Sequence, residues 1–145
     1  MERDSRTDPA AEARRRRRTA LAAVIHDRMT ELLDQLIPEA VRASGLGERL
    51  NGYRQGADES MRIGLAALAA DDEEREALLD RLAANMEVST RDHHIPAIVE
   101  RGLVSIGLRW ALTQVREHAP EQGFAPAELE QEYLIFRGAF EEKLR

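Results

Sequence analysis

The chain of 145 residues contains no cysteine, which excludes disulfides, thiolate metal sites and cysteine nucleophiles. It carries a single lysine, Lys143, against twenty arginines, a bias that reflects a GC-rich genome more than a function. No apolar run approaches the roughly 20 residues that a membrane-spanning helix needs. The N-terminus is charged and leads into no apolar stretch with a small-residue cleavage site, so the expectation is a soluble cytoplasmic protein without a signal peptide. Strict apolar–polar alternation is missing, and with it any half-buried strand. Without strands there is no phosphate loop following one, and neither a G-x-S-x-G elbow nor an H-E-x-x-H pair occurs. Glu117 and His118 are adjacent rather than spaced as Glu-x-x-His, so the di-iron pattern of ferritin-like bundles is missing too. These absences predict a protein that is not an enzyme and has no metal site.

What is present is helical. A chain of this length is expected to form one domain that buries a core without staples. Its formal charge of −6 is unevenly spread: up to Arg18 seven arginines stand against four acids, so the rest of the chain carries −9. An acidic body makes nucleic acid an unfavoured partner, because phosphate contacts need a basic surface. Residues 1–10 are polar and aperiodic and read as a disordered tail, leaving 11–145 as a single all-α domain.

The first helix is expected to start around the Asp8-Pro9 cap. Its stripe of Leu21, Val24, Ile25, Met29, Leu32, Leu33 and Leu36 leads to a short turn opened by Pro38 and broken at Gly45-Leu46-Gly47. A second helix covers roughly 48–70 with Leu50, Tyr53, Ala57, Met61, Leu65 and Leu68 on one face. Asp71 and Asp72 cap a third, about 72–88, with a stripe of Leu78, Leu79, Leu82 and Met86. The fourth opens at Pro96, ends near His118 and is closed by Pro120 and Gly123. Its apolar positions cover much of its circumference, which predicts a central place. The last begins near Pro126, where Leu129, Tyr133, Phe136, Phe140 and Leu144 form a seam at helical spacing. The fold class is all-α, a bundle of about five long helices.

Within this frame a few patterns stand out. Gly52, Gly56, Ser60 and Gly64 recur every fourth residue, and glycine costs about 1 kcal/mol against alanine inside a helix. Such a row lets a crossing helix approach closely, with Gly102, Ser105 and Gly107 of the fourth helix as the expected partner surface. The row also leaves room for a ligand, and the two roles are compatible. The run Arg14, Arg15, Arg16, Arg17 and Arg18 sits at a helix start, where the dipole disfavours cations, and no aromatic residue is interleaved to stack on bases. It reads as a solvated, protein-docking extension before it reads as a nucleic-acid contact. Met29, Met61 and Met86 fall on core stripes. Trp110 reads first as core and otherwise as a cavity wall.

The four histidines offer the remaining chemistry. His26 lies at a helix boundary, and His118 in a last turn that favours positive charge. In Thr90-Arg91-Asp92-His93-His94-Ile95-Pro96, two histidines precede a proline. Zinc would need further convergent ligands that the sequence does not supply, whereas haem needs one histidine and an apolar pocket. The local alternative is that Pro96 pushes Ile95 towards an extended conformation, with Asp92, His93 and His94 capping the helix that follows.

Two stretches carry a resemblance. "HIPAIVERGLVSIGLRWAL" (His94 to Leu112) and "NGYRQGADESMRIGLAAL" (Asn51 to Leu68) resemble bacterial globin-coupled sensors and the helical N-terminal domains of stressosome co-antagonist proteins. The resemblance implies a globin-like fold and a sensory or docking role, often as a dimer and joined to an output domain. The helical pattern still runs at Arg145, as expected of a truncated sensor module or a stand-alone relative. Aligned on Pro96, the position of the proximal histidine falls on Ser89 or Thr90, which implies the haem-free branch. The expected function is therefore a regulatory domain that pairs with itself or a signalling partner and takes a small apolar ligand in its core. Candidate pocket residues are Met61, Leu65, Ile98, Val99, Leu103, Trp110 and Tyr133. Candidate interaction residues are Arg14 to Arg18, Phe136 and Phe140. The alternatives are a haem-binding gas or redox sensor using His93 or His94, and a nucleic-acid accessory protein acting through the arginine run.

Overall fold

A computed structural model describes residues 8–43, 45 and 50–145, the side chains of 50–55 excepted. Among them no strand occurs, and five long helices carry the structure: α1 (Pro9–His26), α4 (Leu50–Ala69), α5 (Asp72–Asp92), α6 (Ala97–His118) and α7 (Pro126–Lys143). Between α1 and α4 lie α2 (Met29–Glu31), a π-helical turn (Leu32–Leu36) and α3 (Ile37–Ala43). A 3-10 turn, Ala119–Gln122, joins α6 to α7. The all-α expectation is met. Leu50, Gly52 and Tyr53 were expected on faces of the second long helix, but their side chains lie outside the described residues, as do residues 1–7 of the expected tail.

Local chemistry explains most boundaries. Asp8 accepts from the Ala10 N–H at 3.0 Å, with Pro9 at the first helical position, where a missing N–H costs nothing. The helix therefore starts at the expected Asp8-Pro9 cap and includes Pro9 and Ala10, which the domain boundary at residue 10 had left in the tail. Asp71 accepts from the Glu74 N–H at 2.8 Å and starts α5. At α7 the Glu128 carboxylate accepts from the Ala125 N–H at 3.2 Å. Gly123, at φ +81°, ends the 3-10 turn in a conformation that glycine adopts without strain.

Two boundaries differ from expectation. The first stripe is not one helix, because the chain breaks at Asp27-Arg28 and resumes at Met29. Pro38 does not open a turn either. It lies within a helical run whose preceding turn is π-helical, with the Ile37 N–H donating to the Leu32 carbonyl. A wider turn relieves the clash that a proline ring makes with the carbonyl four residues before it.

The core is built around α1. Leu21, Val24 and Ile25 are buried, and α1 packs against α4, α6, α7 and the 3-10 turn. The fourth long helix, α6, is less central than its composition suggested. Ile98, Gly102, Ser105, Arg109 and Thr113 run along an exposed face, and Ile98 is 73 % exposed. Leu103, Trp110, Ala111 and Val115 form its buried side.

The close helix crossing predicted from the glycine row is made with α5, not with α6. A Cβ on Gly56 would fall on the Ser89 side chain, and the wall at Gly64 is Leu82. Asn85, between them on α5, donates to Ser60 Oγ at 2.8 Å and to the Gly56 carbonyl at 3.3 Å. Gly102 and Gly107 have no neighbour that an added Cβ would meet. The two-residue link between α4 and α5 makes them an antiparallel hairpin, so the seam of one is presented directly to the other.

Candidate functional site

The backbone of α6 packs on α1, α3 and α7, and neither α4 nor α5 is among its main packing partners. Between α6 and those two helices lies a cavity of about 150 Å³. Its wall is drawn from both sides: Ile25 and Leu32, then Gly56, Ser60, Met61, Gly64 and Leu65 of α4, Leu82, Met86 and Ser89 of α5, Leu103, Gly107 and Trp110 of α6, and Tyr133, Phe136 and Phe140 of α7. The small residues of α4 thus do both things considered for them. One edge packs on α5, and the missing side chains leave space on the other.

Of the expected pocket residues, Met61, Leu65, Leu103, Trp110 and Tyr133 line this cavity. Ile98 and Val99 do not: Ile98 faces solvent, and Val99 packs partly buried against the core. The reason is helical phase: Ile98 begins the exposed row of α6, whereas Leu103 falls on its buried side. Trp110 is both core and cavity wall.

Polar groups in this wall are few. Tyr133 donates its hydroxyl to the Leu108 carbonyl at 2.8 Å, and burial pushes its phenol up. Ser89 Oγ and Trp110 Nε1 are buried with no hydrogen-bond partner among the described residues. Among the described residues Glu100 is the only carboxyl lining the cavity, and no arginine, lysine or histidine lines it. Burial pushes the Glu100 carboxyl up, partly offset by its hydrogen bond with Thr90. Sequence inspection missed Glu100, because one acid in the first turn of a helix reads as a dipole contact.

The paired histidines have a different role from either one expected of them. The α5 helix extends through Asp92, and His93 is its C-cap. His94 follows at φ +52°, with its N–H donating to the Arg91 carbonyl at 3.3 Å, and the Ile95 N–H reaches back to Thr90 at 2.9 Å. This pair of bonds is a Schellman motif, with buried Ile95 supplying the apolar contact that accompanies it. The histidines therefore close α5; the N-cap of the next helix is Pro96 itself. Neither His93 nor His94 lines the cavity, whose volume is below the roughly 300 Å³ at which drug-sized pockets begin. The residues present do not fit a haem. Among the described residues no group of three or more His, Cys, Asp or Glu converges as metal ligands would.

The arginine run is built into the fold. Arg18 is buried and donates to Glu132 Oε1 at 2.7 Å, to Asp72 Oδ1 at 2.6 Å and to the Ala70 carbonyl at 2.7 Å. Arg75 of α5 is buried beside it and donates to the Ala67 and Leu68 carbonyls, both at 2.9 Å, with its guanidinium 5.5 Å from the centre of the Phe136 ring. Two arginines from other helices thus satisfy the free carbonyls that end α4. Burial, then the nearby Arg18 charge, pulls Arg75 down to about 10. Arg17 reaches Glu132 at 3.5 Å, Arg14 reaches Asp72 at 3.7 Å, and Arg15 and Arg16 pair with Glu12. Arg18 is consequently not available to a partner, and the other four carry carboxylate neighbours that lower their appeal to phosphate.

Phe136 and Phe140, expected at an interaction surface, are also interior. They stack with centroids 6.2 Å apart behind the cavity. The seam they belong to faces the core because α7 packs on α1, α5 and α6. Leu144, its last member, is exposed, and the exposed apolar residues midway along α7 are Leu134 and Ile135. No described helix is long and apolar enough to cross a membrane. No known protein family, no curated protein and no solved structure matches the chain.

Proposed function

We propose that the chain is a non-enzymatic, globin-like sensory domain whose signal is a small apolar molecule held in the core. The observation that carries this reading is the cavity itself, about 150 Å³ and walled mainly by aliphatic and aromatic side chains. Enclosed apolar cavities of roughly this size accept benzene or xenon, and this one matches in volume, with a mainly apolar wall that opens partly to solvent. Its position supports a sensory role. One wall is the α4–α5 hairpin and the other is α6–α7, so an occupant touches both sides of the space between α6 and that hairpin. A ligand that binds better to one spacing of those sides shifts the population towards it. Leu134 and Ile135, outward on α7, give the opposite face of that helix to a second copy or a signalling partner.

Thermal unfolding in the presence of benzene tests this reading. Saturation at about 100 times the dissociation constant adds roughly 2.7 kcal/mol of stability, so a clear upward shift is expected. Gly107→Leu, which places a side chain where an added Cβ meets nothing, should remove the shift while the protein remains folded. No response to benzene or xenon in the unsubstituted protein overturns the reading.

A further inference from the structure

Among the described residues the cavity is lined by one acidic group and no basic one, and that asymmetry bears on what it holds. A carboxylate offers about four acceptor positions, and the nearby Thr90 hydroxyl offsets only part of the burial of Glu100. Thr90 itself donates its hydroxyl to the Met86 carbonyl at 2.7 Å, so its capacity to satisfy a carboxylate is limited. One residue earlier on α5, Ser89 Oγ is buried without a partner among the described residues. Ser89 and Glu100 line the same cavity. The end of α5 and the start of α6 thus set acceptors beside a mainly apolar chamber, with no cation among the described residues lining it.

Resting on the reading above, we infer that the occupant is a small hydrophobic amine, its ammonium group held by Glu100 and Ser89 and its hydrocarbon part among Met61, Leu65, Leu103 and Trp110. A protonated amine supplies three donors and the charge that a half-buried carboxylate lacks. A neutral hydrocarbon leaves both polar groups unsatisfied, and an anion is repelled. Charge-assisted hydrogen bonds of this kind are about twice as strong as neutral ones. The ligand's size is limited by the cavity to about one six-membered ring with a short arm.

Toluene, benzylamine and benzoate, similar in size and different in head group, form the test, with binding followed by calorimetry and by thermal shift. Benzylamine should bind at least tenfold more tightly than toluene, and benzoate should not bind. Glu100→Gln should abolish the preference for the amine, with toluene affinity measured in parallel as the control for an intact cavity. If that variant does not fold, Glu100→Asp, which withdraws the carboxyl by one methylene, should reduce the preference in its place. Equal or weaker binding of benzylamine, or a preference that survives the substitution, overturns the inference while toluene binding leaves the apolar cavity reading standing. If neither toluene nor benzylamine binds, that reading fails and this one with it.

Discussion

Arg18 and Glu132 lie 114 positions apart in the chain and meet at 2.7 Å, with 4 % of each side chain exposed. The pair ties α1 to α7, and through Asp72 and the Ala70 carbonyl it ties both to the α4–α5 link. Breaking a buried pair from one side leaves a charge without compensation, at a cost of about 3–5 kcal/mol. Glu132→Ala should therefore lose about 3 kcal/mol in urea unfolding, the low end because Arg18 retains Asp72. Replacing both residues by methionine should recover much of that loss. A double variant no more stable than Glu132→Ala would show that the helix-end carbonyl contact of Arg18 matters more than the ion pair.

The α4–α5 crossing makes opposite predictions for two glycines in one row. At Gly56 an added Cβ meets both Ser89 Oγ and Ser89 Cβ within a distance that real contacts avoid, whereas at Gly64 it meets only Leu82 Cδ2 at 4.0 Å. Gly56→Ala should destabilise by about 1–3 kcal/mol through overpacking. Gly64→Ala should stabilise by about 0.5–1 kcal/mol through the reduced backbone entropy of the unfolded chain. Adding Ser89→Gly to Gly56→Ala should restore most of the loss, and chemical denaturation of the three variants checks the set.

His94 occupies a left-handed conformation that β-branched residues resist. His94→Val should be about 1–2 kcal/mol less stable than His94→Gly. The loss should appear as fraying at the end of α5, read by faster amide exchange at Ile95, whose N–H closes the cap.

Glu100 gives a pH dependence of definite sign. Its carboxyl is raised in the folded protein by burial, so its favourable contribution is complete below the unfolded carboxylate value of about 4.3. The contribution is lost as pH rises through the folded value. Glu100→Gln should accordingly be more stable than the parent at pH 7, with the difference shrinking on acidification. Asp72 works the other way. Arg18 holds it below its ordinary value, so its contribution is present near neutrality and disappears as pH falls through the folded value. Asp72→Asn should flatten the acid limb of the stability curve that Glu100→Gln leaves in place. Urea midpoints taken between pH 3 and 7 for both variants separate the two contributions.

Five long helices, their caps at Asp8 and Asp71, and the end of the last connection at Gly123 were legible in the sequence, because spacing and capping are local properties. Five of seven expected cavity residues were legible for the same reason: an apolar stripe must face the core. Which stripe faces which was not. The glycine row predicted a close crossing, and only the two-residue link after α4 decided that α5 supplies it. The arginine run read as a docking surface, since nothing local shows that Glu132 arrives from the far end of the chain to bury Arg18. The histidines read as the beginning of a helix because Pro96 is adjacent, yet about four more residues of α5 made them its end. Glu100 had no sequence signal at all. Its environment is created by the gap between α6 and the α4–α5 hairpin, a long-range arrangement set by how whole helices pack rather than by any neighbouring residue.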